Sequence, residues 1–377
     1  MKVLIACGGT GGHLFPGLAV AETMRQRRHQ VKLLVSEKAI DSTGLAALTS
    51  GCDASAITVQ TVAAVGYDSW RQSIRFCSRL TRAFGECVDV CDEFQPDVLL
   101  GMGGFTSAPA MLATRWSGKG RRTATLIHES NAVPGKANRY AGRFANHVAV
   151  GLAECARFFG RKPVTVTGTP VRATLRAGRV ADAHGWLGLR PDRLTILVMG
   201  GSQGAHMINE LMAGALPWLD EWRGQTQFVH LSGERDETCV RDAYERNGFT
   251  ANVMSFCSQM ELAYSAADLV VARSGASTLA EIAGFGLPAV LIPFPQACGD
   301  HQLHNARVFE RAGAANVIEQ PPRARSGGVA ADEQLAQSIS VLLRDDAGRQ
   351  RMANAARSLG VIDAEQRIAT LLEAHAD

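Results

Sequence analysis

The sequence predicts an α/β protein built from two Rossmann-like domains in tandem, each a doubly wound parallel sheet. Three observations carry that prediction. An apolar strand at Lys2–Ala6 runs through Gly8-Gly9-Thr10-Gly11-Gly12-His13 into helical spacing over Pro16–Arg28. The same arrangement restarts at Leu194–Met199, with Gly200-Gly201-Ser202-Gln203-Gly204-Ala205-His206 as its turn and a helix from Ile208 to Leu216. Elsewhere short β-branched runs alternate with helical periods, as in βαβ units. A chain of 377 residues is long enough for two domains with full cores.

The remaining elements follow in order. Val31–Val35 is a second strand, and Asp97–Leu100 a third that ends in a further glycine turn, Gly101-Met102-Gly103-Gly104-Phe105, before a helix at Ser107–Arg115. Thr123–His128 is a strand leading to Glu129-Ser130-Asn131, and Pro134-Gly135 opens a helix at Lys136–Phe144. His147–Val150 and Val164–Val166 are short strands, and Gly168–Arg172 closes the first domain, which sets boundaries of 1–170 and 171–359. In the second domain Gln227–Ser232, Asn252–Ser255 and Asp268–Arg273 are strands. Ser274, Gly275 and Ala276 allow close approach to the backbone, and Leu279, Ile282 and Ala283 form the apolar face of the next helix. Gly286-Leu287-Pro288 ends that helix, Ala289–Pro293 is the next strand, and Asp300–Asn305 opens another helix. Pro321–Gly328 is a surface loop, Asp332–Leu343 and Ala347–Leu359 are helices, and the segment 360–377 is expected to pack back on the first domain.

Composition excludes several classes of function. A net charge of +3 with no basic block argues against nucleic acid. Nine dispersed cysteines without CxxC pairs fit reduced thiols in a cytoplasm, and the one-turn pair Cys87 and Cys91 lacks the further ligands that zinc needs. A strand beginning at Lys2 predicts no signal peptide, and the longest apolar run, Ala283–Phe294, is broken by Gly and Pro. Over Tyr67–Cys91, Arg71, Arg75, Arg79 and Arg82 share one helical stripe and Trp70, Ile74, Cys77, Phe84 and Val88 another. Such a helix either packs against a core or lies on an anionic membrane surface.

The glycine turns carry the chemistry. A strand that passes through small residues into a helix offers unpaired N–H groups and a positive dipole end, which suits a phosphate. Glu281, one turn into its helix, is a poor neighbour for a phosphate but a good one for ribose hydroxyls. The first turn fails the dinucleotide fingerprint because Leu14 stands where glycine is required, although Glu37 keeps a dehydrogenase reading open. No P-loop occurs. His13 is placed to act as a general base, or alternatively to bond backbone at a helix start. Arg172 is either a phosphate contact or a solvated hinge residue. No Asp-x-Asp metal site is present, so a leaving diphosphate would be stabilised by helix N-termini, loop N–H groups and Arg172.

Taken together, GGTGGH at 8–13, GMGGF at 101–105, HESN at 128–131, GTPVR at 168–172, GGSQGA at 200–205 and RSGASTLAE at 273–281 resemble the MurG family of glycosyltransferases, in the same order and over nearly the whole chain. The resemblance implies the GT-B fold, with the active site in a cleft between two Rossmann-like domains. It implies inverting transfer of N-acetylglucosamine from UDP-GlcNAc to the 4-hydroxyl of the muramoyl sugar of lipid I, giving lipid II, without metal or cofactor. It assigns UDP-GlcNAc contacts to Thr10, Gly11 and Gly12, to Asn131 and Arg172, and to Ser202 and Gln203 near the diphosphate. Ala276, Ser277, Thr278, Leu279, Ala280 and Glu281 become the nucleotide-holding helix start, with Glu281 on the ribose. Cys257 presents backbone to uracil, Gln302 and His301 read sugar hydroxyls, and His13 is the base. Partners would be lipid I, an anionic membrane surface against the Trp70–Val88 stripe with Trp116, Lys119, Arg121 and Arg122 as its neighbours, and a cell-wall synthesis complex. The site of action would be the cytoplasmic face of the inner membrane. Phe105 and Ser130 depart from the family's frequent Tyr and Gln, both on the acceptor side. The other readings are another GT-B UDP-sugar transferase or a UDP-GlcNAc epimerase, a nucleotide-binding oxidoreductase using Glu37, and a non-enzymatic sugar-nucleotide sensor.

Overall fold

The computed structural model describes residues 1–8, 11–36, 57–63, 73–104, 106–117, 123–172, 174–175, 180–201, 206–320 and 330–376. The chain divides into two compact units, Met1–Arg172 with Ile362–Asp377, and Ala173–Val361.

The first unit holds strands β1 (Lys2–Ala6), β2 (Gln30–Ser36), β3 (Ile57–Val62), β4 (Val98–Gly101), β5 (Ala124–Glu129), β6 (His147–Val150) and β7 (Val164–Val166). They form one sheet in the order β3-β2-β1-β4-β5-β6-β7, every pair parallel. Helices α1 (Gly11–Gln26), α2 (Ser73–Phe94), α3 (Ser107–Trp116) and α4 (Lys136–Ala141) connect them. Both faces of the sheet are covered, so β1 and β4 are buried over almost their whole length and read as continuous apolar runs rather than alternating ones. Gly17 on α1 lets the helix close onto β1, since a Cβ there would lie 2.6 Å from that of Cys7.

The second unit repeats this plan with β8 (Leu194–Met199), β9 (Thr226–Leu231), β10 (Thr250–Met254), β11 (Leu269–Ala272), β12 (Ala289–Leu291) and β13 (Ala315–Val317) in the order β10-β9-β8-β11-β12-β13, again all parallel. Its helices are α5 (Val180–Leu187), α6 (His206–Ala215), α7 (Glu237–Arg246), α8 (Met260–Ala266), α9 (Ala276–Phe285), α10 (His301–Arg311), α11 (Ala331–Arg344) and α12 (Asp346–Leu359). The two units even share a fastening. The Asp97 carboxylate accepts the Lys2 N–H at 2.7 Å, and Asp268 accepts the Thr195 N–H at 2.8 Å. Each Asp stands just before the strand that follows the crossover, and each ties it to the strand that opens its domain.

The last helix, α13 (Ala364–Ala376), belongs to the first unit. Ile368, Ala369 and Leu372 are fully buried in the same core cluster as Leu14, Leu18, Ala21 and Met24 of α1. Glu373 accepts from Arg27 at 2.7 Å and pairs with His29 at 2.9 Å across that seam. The edge strand β3 was not evident in the sequence. Thr58 to Thr61 are all exposed, so the run lacks the buried alternation that marks a strand. The short elements α5 and β13 were likewise not evident.

The order of strands reverses between β1 and β4 in one sheet and between β8 and β11 in the other. Such switch points leave a crevice at the carboxyl ends of the strands, where open α/β sheets bind ligands.

Candidate functional site

In the first unit the candidate residues gather at the carboxyl ends of β1, β4 and β5. His13 lies in the first turn of α1, and its imidazole rests against the glycine turn after β4. Gly103 and Gly104 have φ of +107° and +75°, and a Cβ on Gly103 would come within 2.9 Å of both Cδ2 and Nε2 of His13. Two requirements therefore meet in this glycine pair: left-handed backbone and an absent side chain. Ser107 secures the turn by accepting the Gly103 N–H at 2.9 Å through a hydroxyl that also lies 3.2 Å from the Ala6 carbonyl.

Beyond β5, the chain is organised by a buried carboxylate to which the sequence assigned no role. Glu129 is 2% exposed. Its Oε1 accepts the backbone N–H and the Nδ2 of Asn131 at 2.9 and 2.8 Å, and its Oε2 accepts from Gly135 N at 3.1 Å and Asn138 Nδ2 at 2.9 Å. Four N–H donors replace the water lost by that carboxylate. His128 is fully buried, and burial pushes its pKa down, so the ring is neutral. Its Nε2–H donates to the Gly168 carbonyl at 2.9 Å, anchoring the segment that leads to Arg172. The Arg172 guanidinium lies 5.0 Å from the Phe15 ring centroid, a cation–π contact.

In the second unit the carboxyl ends of β11 and β12 are built around α9. Its first turn begins after Gly275 with no side-chain cap, so helix-start N–H groups remain available. Among the described residues the Ser277 hydroxyl and His301 Nδ1 are buried without a hydrogen-bond partner, two polar atoms ready for a ligand's. Glu281 is fixed by the Tyr264 hydroxyl, which donates to Oε2 at 2.6 Å. Gln302 spends its Oε1 on the Phe294 N–H at 2.9 Å, while its carbonyl accepts from Ser274 at 2.8 Å. Its Nε2 makes no hydrogen bond among the described residues. The Leu279 side chain is buried in the core, so only its backbone can meet a ligand. Cys257, after β10, is also buried, and burial raises its thiol pKa. Arg273 is structural. It donates to the Ile292 and Pro293 carbonyls and to Gln320 Oε1, and burial brings its pKa down to about 10.

Thr10, Ser202, Gln203, Glu37 and Phe105 lie outside the described residues, as do Trp70, Arg71, Lys119, Arg121, Arg122, the loop 321–328 and the side chains of Ile74, Arg75 and Cys77. Among the described residues no group of three or more His, Cys, Asp or Glu side chains could hold a metal ion. Sequence reasoning missed Glu129, Asn138, Gly103 and Tyr264. Glu129 and Asn138 bond within the stretch 128–138, whereas Gly103 meets His13 from ninety positions away and Tyr264 reaches Glu281 from another helix.

Two family models match the chain. The glycosyltransferase family 28 N-terminal domain covers residues 3–150 and the glycosyltransferase family 28 C-terminal domain residues 195–368. A protein of Syntrophus aciditrophicus (strain SB) named UDP-N-acetylglucosamine--N-acetylmuramyl-(pentapeptide) pyrophosphoryl-undecaprenol N-acetylglucosamine transferase is 39% identical over 336 residues, 88% of each chain. A protein of the same name from Geobacter sulfurreducens is 38% identical over 371 residues, 98% of this chain and 97% of its own. The crystal structure of Acinetobacter baumannii MurG superposes with a TM-score of 0.75 at 27% identity, covering 99% of both chains. The two parallel-sheet Rossmann-like domains are thus those of the GT-B fold. With one half matched by each of the two models, and relatives this similar along nearly its whole length, the chain belongs to glycosyltransferase family 28.

Proposed function

We propose that this chain transfers N-acetylglucosamine from UDP-N-acetylglucosamine to N-acetylmuramyl-(pentapeptide) pyrophosphoryl-undecaprenol, lipid I, to make lipid II. The observation that carries the reading is near-full-length identity to enzymes named for that reaction. The donor nucleotide sits at the start of α9, with the diphosphate on uncapped N–H groups, Glu281 on the ribose, and Gln302 and His301 on the sugar. Ala276, Ser277, Thr278, Leu279 and Ala280 contribute mainly backbone, as does Cys257 at the uracil. Thr10, Gly11, Gly12, Asn131, Arg172, Ser202 and Gln203 complete the donor contacts. His13 takes the proton of the acceptor 4-hydroxyl as the new C1–O bond forms. The C1–O bond to UDP breaks with inversion, and the electron pair leaves on the diphosphate. The charge developing there is met by helix dipoles and Arg172.

The acceptor's lipid requires a membrane face. Leu80, Phe84, Leu112 and Trp116 of α2 and α3 supply one, together with Arg79 and Arg82. Trp116 is 75% exposed and meets Phe84 edge-on at 6.1 Å. Among the described residues no helix is long and apolar enough to cross a membrane, so the contact is peripheral in this reading. Replacing Arg75, Arg79 and Arg82 with Glu is expected to weaken binding to anionic vesicles by about tenfold or more. Unchanged binding removes the patch.

The test of the reaction is transfer from radiolabelled UDP-GlcNAc to a lipid I analogue. His13→Ala should mainly lower turnover and Glu281→Ala mainly weaken donor binding. Unchanged rates in both remove the site, turnover of the donor without acceptor points to an epimerase, and loss of activity in EDTA restored by magnesium removes the dipole account.

A further inference from the structure

Arg273 is 5% exposed, and its hydrogen bonds among the described residues all go to neutral acceptors. Its Nη1 donates to the Ile292 carbonyl at 2.9 Å, the Pro293 carbonyl at 3.1 Å and Gln320 Oε1 at 2.9 Å. Burying a guanidinium without a carboxylate is costly. What it secures is the segment leaving β12, whose Phe294 ring centroid lies 5.4 Å from the guanidinium. The Phe294 N–H donates to Gln302 Oε1 at 2.9 Å. That bond assigns the Gln302 amide: the oxygen faces the chain and Nε2 is left over as an N–H donor. The main chain of Gln302 is held separately. Ser274 Oγ donates to its carbonyl at 2.8 Å and Asn305 Nδ2 to the Ser274 carbonyl at 3.2 Å, with Ser274 and Asn305 fully buried. Two consecutive residues at the carboxyl end of β11 thus grip the two ends of Gln302.

We propose that Arg273 is a positioning residue for Gln302: it fixes the segment 292–294 so that the Gln302 amide presents only its Nε2–H groups to N-acetylglucosamine. The inference rests on the reading of Gln302 as a contact to that sugar. An amide free to turn over offers a hydroxyl either an N–H or a carbonyl oxygen. An amide held by its oxygen offers N–H alone, and so meets the lone pair of a sugar oxygen. A group fixed before the ligand arrives also avoids the entropy of ordering it on binding. UDP lacks the sugar, so its binding should be indifferent to Arg273.

Part of the test needs no ligand. Phe294 is 39% exposed and outside helix and strand, so slow exchange of its amide reports the bond to Gln302. In protein with ¹⁵N-labelled phenylalanine, Phe294→Tyr assigns that signal. Exchange slowed about tenfold or more is expected in the wild type and should be lost in Gln302→Ala and in Arg273→Met. Calorimetry with UDP-GlcNAc and with UDP supplies the other part. Gln302→Ala should raise Kd for UDP-GlcNAc about tenfold and Arg273→Met about fivefold, with Kd for UDP within about twofold in both. Arg273→Lys, which restores an N–H donor to the carbonyls, should recover part of the loss. Adding Arg273→Met to Gln302→Ala should cost nothing further, because residues acting as one unit are not additive. A fast Phe294 amide in the wild type, equal weakening of UDP and UDP-GlcNAc by Arg273→Met, or multiplied losses in the double variant overturns the proposal. If Arg273→Met does not fold, Arg273→Lys decides by the same pattern at smaller amplitude. A slow Phe294 amide that is lost in Arg273→Met, with wild-type UDP-GlcNAc affinity in Gln302→Ala, leaves the clamp standing and removes the sugar reading of Gln302 instead.

Discussion

Gly103→Ala is the sharpest test of how the first-unit site is built. At φ of +107° an L residue pays about 1–3 kcal/mol in backbone strain. The new Cβ would also sit 2.9 Å from two atoms of the His13 ring and 3.1 Å from Asn138 Nδ2, against ordinary contacts of 3.4–4 Å. Either the ring backs away by about 0.5 Å or the glycine turn does, and Ser107 resists the second movement through its bond to Gly103 N. Two losses are therefore expected. About 2 kcal/mol of stability corresponds to a fall of about 5 °C in Tm, read by thermal unfolding. A half-ångström misplacement of a base should lower kcat about tenfold, given that 1 Å can cost a hundredfold, while KM for UDP-GlcNAc stays within about twofold. Transfer to a lipid I analogue measures the second. A variant that loses stability but turns over at the wild-type rate would refute the placement of His13 as a reacting group.

Three further outcomes follow from other parts of the molecule. His230, bonded to Asn209 at 2.9 Å and Tyr244 at 3.0 Å, is pushed down to about 3 by burial, so between pH 3 and 6.5 the unfolded chain binds a proton that the folded chain refuses. Stability should accordingly fall as pH drops below 6.5, by about 2 kcal/mol from this residue between pH 7 and 5, and His230→Gln should flatten that slope in denaturant titrations. Leu372→Ala in α13 should cost about 2–5 kcal/mol and lower the unfolding transition of the first unit, whereas an effect confined to the second unit would contradict the packing of the C-terminal helix. Tyr264→Phe removes the 2.6 Å donor to Glu281 and should raise KM for UDP-GlcNAc severalfold, at about 1–2 kcal/mol of stability, with kcat unchanged.

Much of the fold was legible in the sequence because buried parallel strands and glycine turns leave local signatures. The strands at 2–6, 98–101, 194–199 and 269–272 are mostly apolar and buried almost throughout, and the small residues after them mark the sheet ends. Elements that lack such a signature escaped, as the exposed edge strand at 57–62 did. Candidate residues were legible where one motif contains the whole device, as at Ala276–Glu281, where helix start and carboxylate lie one turn apart.

The sequence by itself determined the tandem plan, the places of the glycine turns and the family motifs, since each depends on residues close together in the chain. Only the tertiary structure decided which groups those loops serve. The pairing of His13 with Gly103 joins segments ninety positions apart, Tyr264 reaches Glu281 from a different helix, and His128 anchors the Gly168 carbonyl from another strand. Hydrogen bonds and steric fit act over a few ångströms of space and are indifferent to separation along the chain, so no local pattern could record them.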